Sequence, residues 1–349
     1  MIELQKDQLK FSFPEVHPQA SLSIDFQRTL RIPDDDREYH LPPGLGRFPL
    51  LHVDDFAQRI PPTWLEHGGV MLPMYQAEAL WLSFKGGYIH DRGVGYPFAI
   101  RVATGKIDAV TGKVWEPSLT QRPQNYMVHP GQPWLDGYVV KKGQIRQFVA
   151  MPLGAGYSAE EQITGRAEHG GLQLQVFPMK REVFERRFPP VPPSVPRVTG
   201  GVVGEFSTMF SAPGTRMLSR SAEMGLAPGG RMRQEIYQDK WDLDDWDTSQ
   251  TSRCFIHLAN SMVWRSITGK EPPTTPPTAA EYTRAGLPWF DYYDESRSAV
   301  EGSGVLAALK SVFRMGQEKG QVPLPENEPV TPARVVSYRS GDRVREGAF

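Results

Sequence analysis

Residues 134–179 read WLDGYVVKKGQIRQFVAMPLGAGYSAEEQITGRAEHGGLQLQVFPM, and no other stretch of the chain carries as many local structural signals. Tyr138–Val140 is a short apolar strand, Lys141–Lys142–Gly143 a turn, and Gln144–Met151 a second strand. The glycine loop Leu153–Gly154–Ala155–Gly156 follows. Ser158–Ala159–Glu160–Glu161 then matches a capping box, in which Ser158 accepts from a free helix N–H and Glu161 reaches back to the Ser158 amide. A short helix is therefore expected over Ser158–Ile163. Gly165 stops that helix, and Gly170–Gly171 opens a third strand at Leu172–Phe177. The helix is too short to complete a βαβ unit, so the stretch forms a scaffold whose loops are the place to look for a working site.

Working outward, the same punctuation recurs. The 349 residues include 33 glycines and 32 prolines, an excess that keeps helices short and points to a turn-rich, mainly β protein. Leu22, Ile24 and Phe26 alternate with polar residues in Ser21–Ile32, the period of a half-buried strand. Further strands are expected at Ala79–Phe84 and at Cys254–Ala259. Phe98–Ala103 and Lys106–Val110 form a hairpin around Thr104–Gly105, with a short third strand at Val114–Trp115. Helical signals are brief: one turn at Val53–Gln58 capped by Asp54, and capping boxes at Thr63–Glu66 and Thr278–Glu281. The best helix is Val305–Phe313, where Val305, Leu306, Leu309, Val312 and Phe313 share one face.

The fold class expected is mainly β with short helices, as a β-sandwich-like body followed by an α+β second part. A β-rich domain over 1–188 precedes a proline-rich linker or strap over 189–200, where five prolines fall between Phe188 and Pro196. A second β/α lobe over 201–320, with a strand at Val202–Phe210, either packs against the first or completes it. Residues 321–349 are an extended tail whose Val335–Tyr338 can add a strand elsewhere, including on a neighbouring subunit. Gly143–Val149 and Gly230–Ile236 both read Gly-x-apolar-Arg-Gln-x-apolar, an echo that suits a duplicated unit or shared strand-entry chemistry.

The charge balance narrows the partners. Lys and Arg number 39 against 40 Asp and Glu, a net charge of −1, so the basic footprint needed to bind nucleic acid is absent. Cys254 is the single cysteine, which excludes an internal disulfide and any multi-cysteine metal site. No apolar run approaches the ~20 residues of a spanning helix, and the first residues lack an apolar signal core, so a cytoplasmic protein without membrane insertion is expected.

Candidates for chemistry each stand beside a structural alternative. The loop holding Gly154 and Gly156 sits at a strand–helix junction whose backbone N–H groups suit an anion, but it lacks the P-loop lysine and the third glycine of a dinucleotide site. Asp242, Asp244, Asp245 and Asp247, with Asp239, Trp241 and Trp246, offer oxygen ligands for calcium, yet their spacing is not that of an EF-hand loop. A solvated acidic loop pinned by two tryptophans is the simpler reading. His90–Asp91, on the glycine-rich run 86–95, is the most enzyme-like doublet among the eight histidines. His257 reads as a hydrogen-bonded core residue and Cys254 as a buried one. Gln132–Gly137 and Gly286–Asp294 both place an aspartate after Pro-Trp, which suits an anchored loop corner or a sugar- or peptide-binding platform.

The runs Gln132–Gly137, Ile145–Tyr157 and Gly286–Asp294 resemble those of a family of bacterial hypothetical proteins. The resemblance spans most of the chain and implies no activity, cofactor or site residue. The function expected is therefore drawn from the residues alone. It is a non-enzymatic protein acting by binding or homo-oligomeric self-assembly, with itself or another protein as partner and no cofactor. The alternative is a hydrolase, metal-dependent or not, using His90, Asp91 or the 242–247 carboxylates.

Overall fold

The computed structural model describes residues 1–190, 222–294, 296–321 and 327–339. In chain order the strands are β1 (Ile2–Gln5), β2 (Gln8–Ser12), β3 (Ser21–Thr29), β4 (Glu38–Tyr39), β5 (Leu51–His52), β6 (Val70–Met74), β7 (Ala79–Gly86), β8 (Tyr88–Ile89), β9 (Val94–Gly95) and β10 (Phe98–Thr104). They continue with β11 (Ile107–Asp108), β12 (Met127–His129), β13 (Trp134–Leu135), β14 (Gly137–Lys141), β15 (Gln144–Pro152), β16 (Leu172–Pro178), β17 (Glu223–Arg233), β18 (Ser252–Asn260), β19 (Trp289–Tyr293) and β20 (Val335–Arg339). The helices are short: α1 (Pro62–His67), α2 (Ala159–Thr164), α3 (Arg181–Arg187), α4 (Ser261–Thr268), α5 (Ala279–Arg284), α6 (Gly304–Ala308) and α7 (Val312–Glu318). The protein is mainly β, and no helix of the described residues is long and apolar enough to cross a membrane.

Sixteen strands share one sheet, whose main path runs β1-β2-β3-β7-β15-β17-β18-β16-β10-β11 with antiparallel neighbours throughout. β6 and β4 add parallel pairs to β18 and β17. β12 pairs with β10, and β13, reached through residues 130–133, pairs with β7. Residues 127–135 thereby return the path to β7 and close a circuit through β15, β17, β18, β16 and β10. β10, β15 and β16 are buried at every position, so both their faces are covered. Strands from both sides of residues 189–200 alternate in this sheet: β17 and β18 lie between β15 and β16.

Tyr138 fastens the interior of the circuit. Its phenol donates to the Leu226 carbonyl at 2.8 Å, and the Thr104 hydroxyl lies 2.8 Å away. A phenol has one proton, so the Thr104 hydroxyl is the donor to Tyr138, and one buried side chain on β14 links β10 to β17. The ring meets Phe148 edge-on at 4.8 Å.

The opening stretch folds as its signals require. Lys142–Gly143 turns β14 into β15, Gly143 taking a left-handed φ of 72° that a side chain would resist. α2 has the full Ser158/Glu161 capping box. Three expectations are corrected elsewhere. α1 starts behind Pro61 and has no side-chain cap, so Thr63 is inside the helix rather than capping it. The helix expected over 305–313 is two, α6 and α7, because Ser303 and Ser311 each cap a new start; Val305 is exposed while Leu306 and Val312 are buried. The acidic triplet Asp34–Asp35–Asp36 after Pro33, whose sequence reads as a solvated turn, is instead an ion-pair node: Asp34 is buried 3.8 Å from Arg146, and Asp36 meets Arg231 and Arg314 at 3.1 and 2.9 Å. The expected strand at Val202–Phe210 and nearly all of the proline run lie outside the described residues.

The C-terminal segments are strapped onto β3 and its extension. Arg28, paired with Glu78 at 2.9 Å, also donates to the Thr274 carbonyl. Arg31 donates to Asn327 at 3.1 Å, and Asp34 accepts from the Phe313 amide at 3.1 Å.

Candidate functional site

Each residue singled out from the sequence has a definite place. His90 and Asp91 are exposed at the tip of the β8–β9 ribbon. His90 packs edge-on to Tyr88 at 5.2 Å, and Asp91 lies 3.6 Å from Arg92. Gly154 and Gly156 both take left-handed φ, at 86° and 78°. The amide that an anion would use is already engaged: Gly156 N–H donates to Glu161 Oε1 at 2.7 Å, and Ser158 N–H to Glu161 Oε2 at 3.1 Å. The protein's own carboxylate occupies the loop.

The acidic segment is likewise tied to protein donors. Asp239 accepts from the Tyr126 hydroxyl (2.6 Å), Trp246 Nε1 (2.9 Å) and the Trp241 amide (2.9 Å). Asp245 pairs with Arg187 at 2.6 Å and caps the 243–245 turn. Asp247 accepts from Ser249 and Gln250 amides, while Asp242 and Asp244 are exposed. Among the described residues, no group of three or more His, Cys, Asp or Glu is placed to hold a metal ion. The Pro-Trp runs meet: Trp134 lies 4.8 Å from Tyr292, Asp136 and Trp289 are buried, and Asp291 bonds His40 at 2.7 Å.

What the sequence did not announce is a groove of about 790 Å³ between residues 121–124, 238–242 and 300–304. A smaller hollow of about 340 Å³ lies on the other side of Gln238–Trp241, which makes that segment a ridge between two concavities. Side-chain amides fasten its walls. Gln124 donates to the Tyr126 and Tyr237 carbonyls and accepts from the Asp239 amide, Gln121 donates to the Trp241 carbonyl, and Gln238 donates to the Ala299 carbonyl. Ser303 donates to the Thr111 carbonyl and holds the third wall. Against this fixed frame, Arg122 and Lys240 make no ion pair among the described residues; Lys240 rests over the Trp241 ring at 5.1 Å. Two cations among 39 carry no motif, and only the three loops' convergence brings them together.

Four buried ionisable groups, His257, His129, Cys254 and Asp136, are not among the residues that line the groove. His257 donates Nε2–H to the Gly68 carbonyl at 3.0 Å, as expected of a core histidine, and burial pushes its pKa down to about 4. His129 accepts the Gly86 amide on Nε2 at 2.9 Å, and burial likewise holds it down to about 4. Burial pushes the Cys254 thiol up to about 12, which removes it as a nucleophile near neutrality. Asp136 exchanges bonds with Gln234, donating its amide N–H to Oε1 (3.0 Å) and accepting from Nε2 (2.7 Å); burial raises its carboxyl to about 7 against that bond.

Asp136 has a measurable signature. Between its ordinary pKa near 3.8 and the folded value near 7, the native state holds the extra proton. Its contribution to stability is thus fully present below 3.8 and lost as pH rises through 7. The two histidines act oppositely, costing stability as pH falls from 6.5 to about 4. Asp136→Asn keeps the acceptor for Gln234 and removes only the carboxylate term. The variant is expected to be more stable than the parent above pH 7, by at most on the order of 4 kcal/mol, with the gain gone near pH 4. Urea unfolding at both ends of the range tests this; an equal effect at both would refute it.

No family model, no curated protein and no solved structure matches the chain.

Proposed function

We propose that the protein acts by binding, and that the groove beside Gln238–Trp241 receives an acidic segment of a protein partner. The observation that supports this is the pair of cations Arg122 and Lys240, which make no ion pair among the described residues. Of the groove's three carboxylates, Asp239 is spent on its walls, while Asp242 and Glu301 lie 4.0 and 3.9 Å from Arg187 and Lys142. Fixed walls lower the ordering cost of binding, and open cations supply attraction that salt screens. Fluorescence polarisation with a labelled glutamate-rich peptide and a lysine-rich control tests the reading. The acidic peptide is expected to bind in a salt-dependent way, and Arg122→Ala with Lys240→Ala to weaken it at least about tenfold, the loss of roughly 1.4 kcal/mol. Equal binding of both peptides, or no effect of the double substitution, would remove the proposal. Turnover in a broad hydrolase screen would favour the enzyme alternative instead.

A further inference from the structure

β19 and β20 form a two-stranded parallel sheet apart from the main one, with Trp289 opposite Val335 and Tyr293 opposite Arg339. Two-stranded ribbons are marginal alone, and parallel strands are normally covered on both sides. β19 is covered: Phe290 and Leu41 exchange amide–carbonyl bonds of 2.8 and 2.9 Å across its far edge. β20 has no strand on its far edge among the described residues.

The register says which groups that edge offers. Trp289 N–H donates to the Arg334 carbonyl at 2.9 Å, so in a parallel ladder Arg334, Val336 and Tyr338 turn their backbone groups toward β19. Val335, Ser337 and Arg339 therefore turn theirs outward. These three are symmetric about Ser337, and an antiparallel copy of the same strand meets every outward N–H with a carbonyl. We infer that β20 is a homodimer edge, pairing with β20 of a second copy about a two-fold axis at Ser337.

Three features favour a second copy in that orientation. The pairing sets Val336 opposite the partner's Tyr338, joining a half-buried β-branched side chain to an aromatic that is 54% exposed and already stacked on Phe290 at 6.0 Å. Arg339 is the strand's single charged residue. Antiparallel pairing places the two residue-339 Cα positions about 13 Å apart along the ladder, well beyond the roughly 5 Å that separates directly opposed positions. Parallel pairing in register would bring them together. Finally, an isologous contact needs no sequence other than its own.

Light scattering after size exclusion, on the full chain across a concentration series, is the test, with two substitutions. Ser337→Pro removes an outward donor and leaves every β19–β20 bond in place, so it is expected to lower the mass to the monomer's without changing thermal stability of dilute protein. Ser337→Cys sets two thiols on the axis at a Cα separation of about 5.5 Å, within disulfide range of about 4.4–6.8 Å. It is expected to cross-link under mild oxidation much faster than Lys270→Cys, an exposed control, the native Cys254 being buried. A parent that stays monomeric at every concentration would overturn the inference. So would a dimer that Ser337→Pro leaves intact, or cross-linking no faster at 337 than at 270.

Discussion

A chain ended after residue 188 is expected to show no cooperative unfolding transition. β15 pairs along most of its length with β17, from Gln144 opposite Arg233 to Pro152 opposite Met224. β16 pairs with β18 from Leu172 opposite Ile256 to Val176 opposite Ser252. Removing β17 and β18 leaves two strands buried on both faces with open edges and breaks the circuit at its middle. It also takes away the Leu226 carbonyl that accepts from Tyr138, and the buried Met224, Leu226, Ala227 and Met232. Buried backbone groups without partners cost about 1–3 kcal/mol each, and several at once exceed the roughly 5–15 kcal/mol that holds a typical domain. Circular dichroism and calorimetry of residues 1–188 against the full chain check this; a sharp melt in the fragment would mean that the first 188 residues carry a core of their own.

The second large effect is at Arg101. Its guanidinium and the Asp108 carboxylate are each 1% exposed and 3.2 Å apart, with the Trp115 ring 4.0 Å from the guanidinium and the Glu116 carbonyl accepting its other arm. Asp108 in turn shapes the hairpin end by accepting from the Val110 and Thr111 amides and the Thr111 hydroxyl. Burial pushes the Asp108 carboxyl up and the Arg101 guanidinium down, and each charge opposes that push in the other. Arg101→Met leaves a buried carboxylate without its counter-charge and is expected to cost about 3–5 kcal/mol. Adding Asp108→Asn should recover a large part, since the uncompensated charge is then gone. Guanidinium unfolding of the parent and the two variants measures both; a single-variant loss under about 1 kcal/mol would mean that the pair is effectively solvated.

These contrasts mark what was legible in the sequence. The hairpin at 137–152, the capped helix α2 and the strands at 98–104 and 172–178 rest on signals spanning a few residues, and the structure has all of them. The echo between Gly143–Val149 and Gly230–Ile236 has a spatial counterpart: Ile145 faces Met232 and Gln144 faces Arg233 across one antiparallel ladder. Its two glutamines are both buried and bonded, Gln147 to the Leu30 carbonyl and Ile32 amide, Gln234 to Asp136. The insertion of β17 and β18 between β15 and β16 is a non-local pairing that no local signal announces. Asp34 looked like a solvated turn because its partner, Arg146, is 112 positions away. The groove was invisible for the same reason, since its walls come from three separate loops.

The carboxylate of Glu161 gives the glycine loop a further consequence. It is tethered five residues from Gly156 and bonded to that amide and to Ser158, so it behaves as a resident competitor. Short tethers give effective concentrations on the order of millimolar or above. Any phosphate or carboxylate arriving from solution must outbid that local concentration and also leave Glu161 a second place to put its charge. The same five residues that cap α2 thus act as a threshold on what the loop can admit.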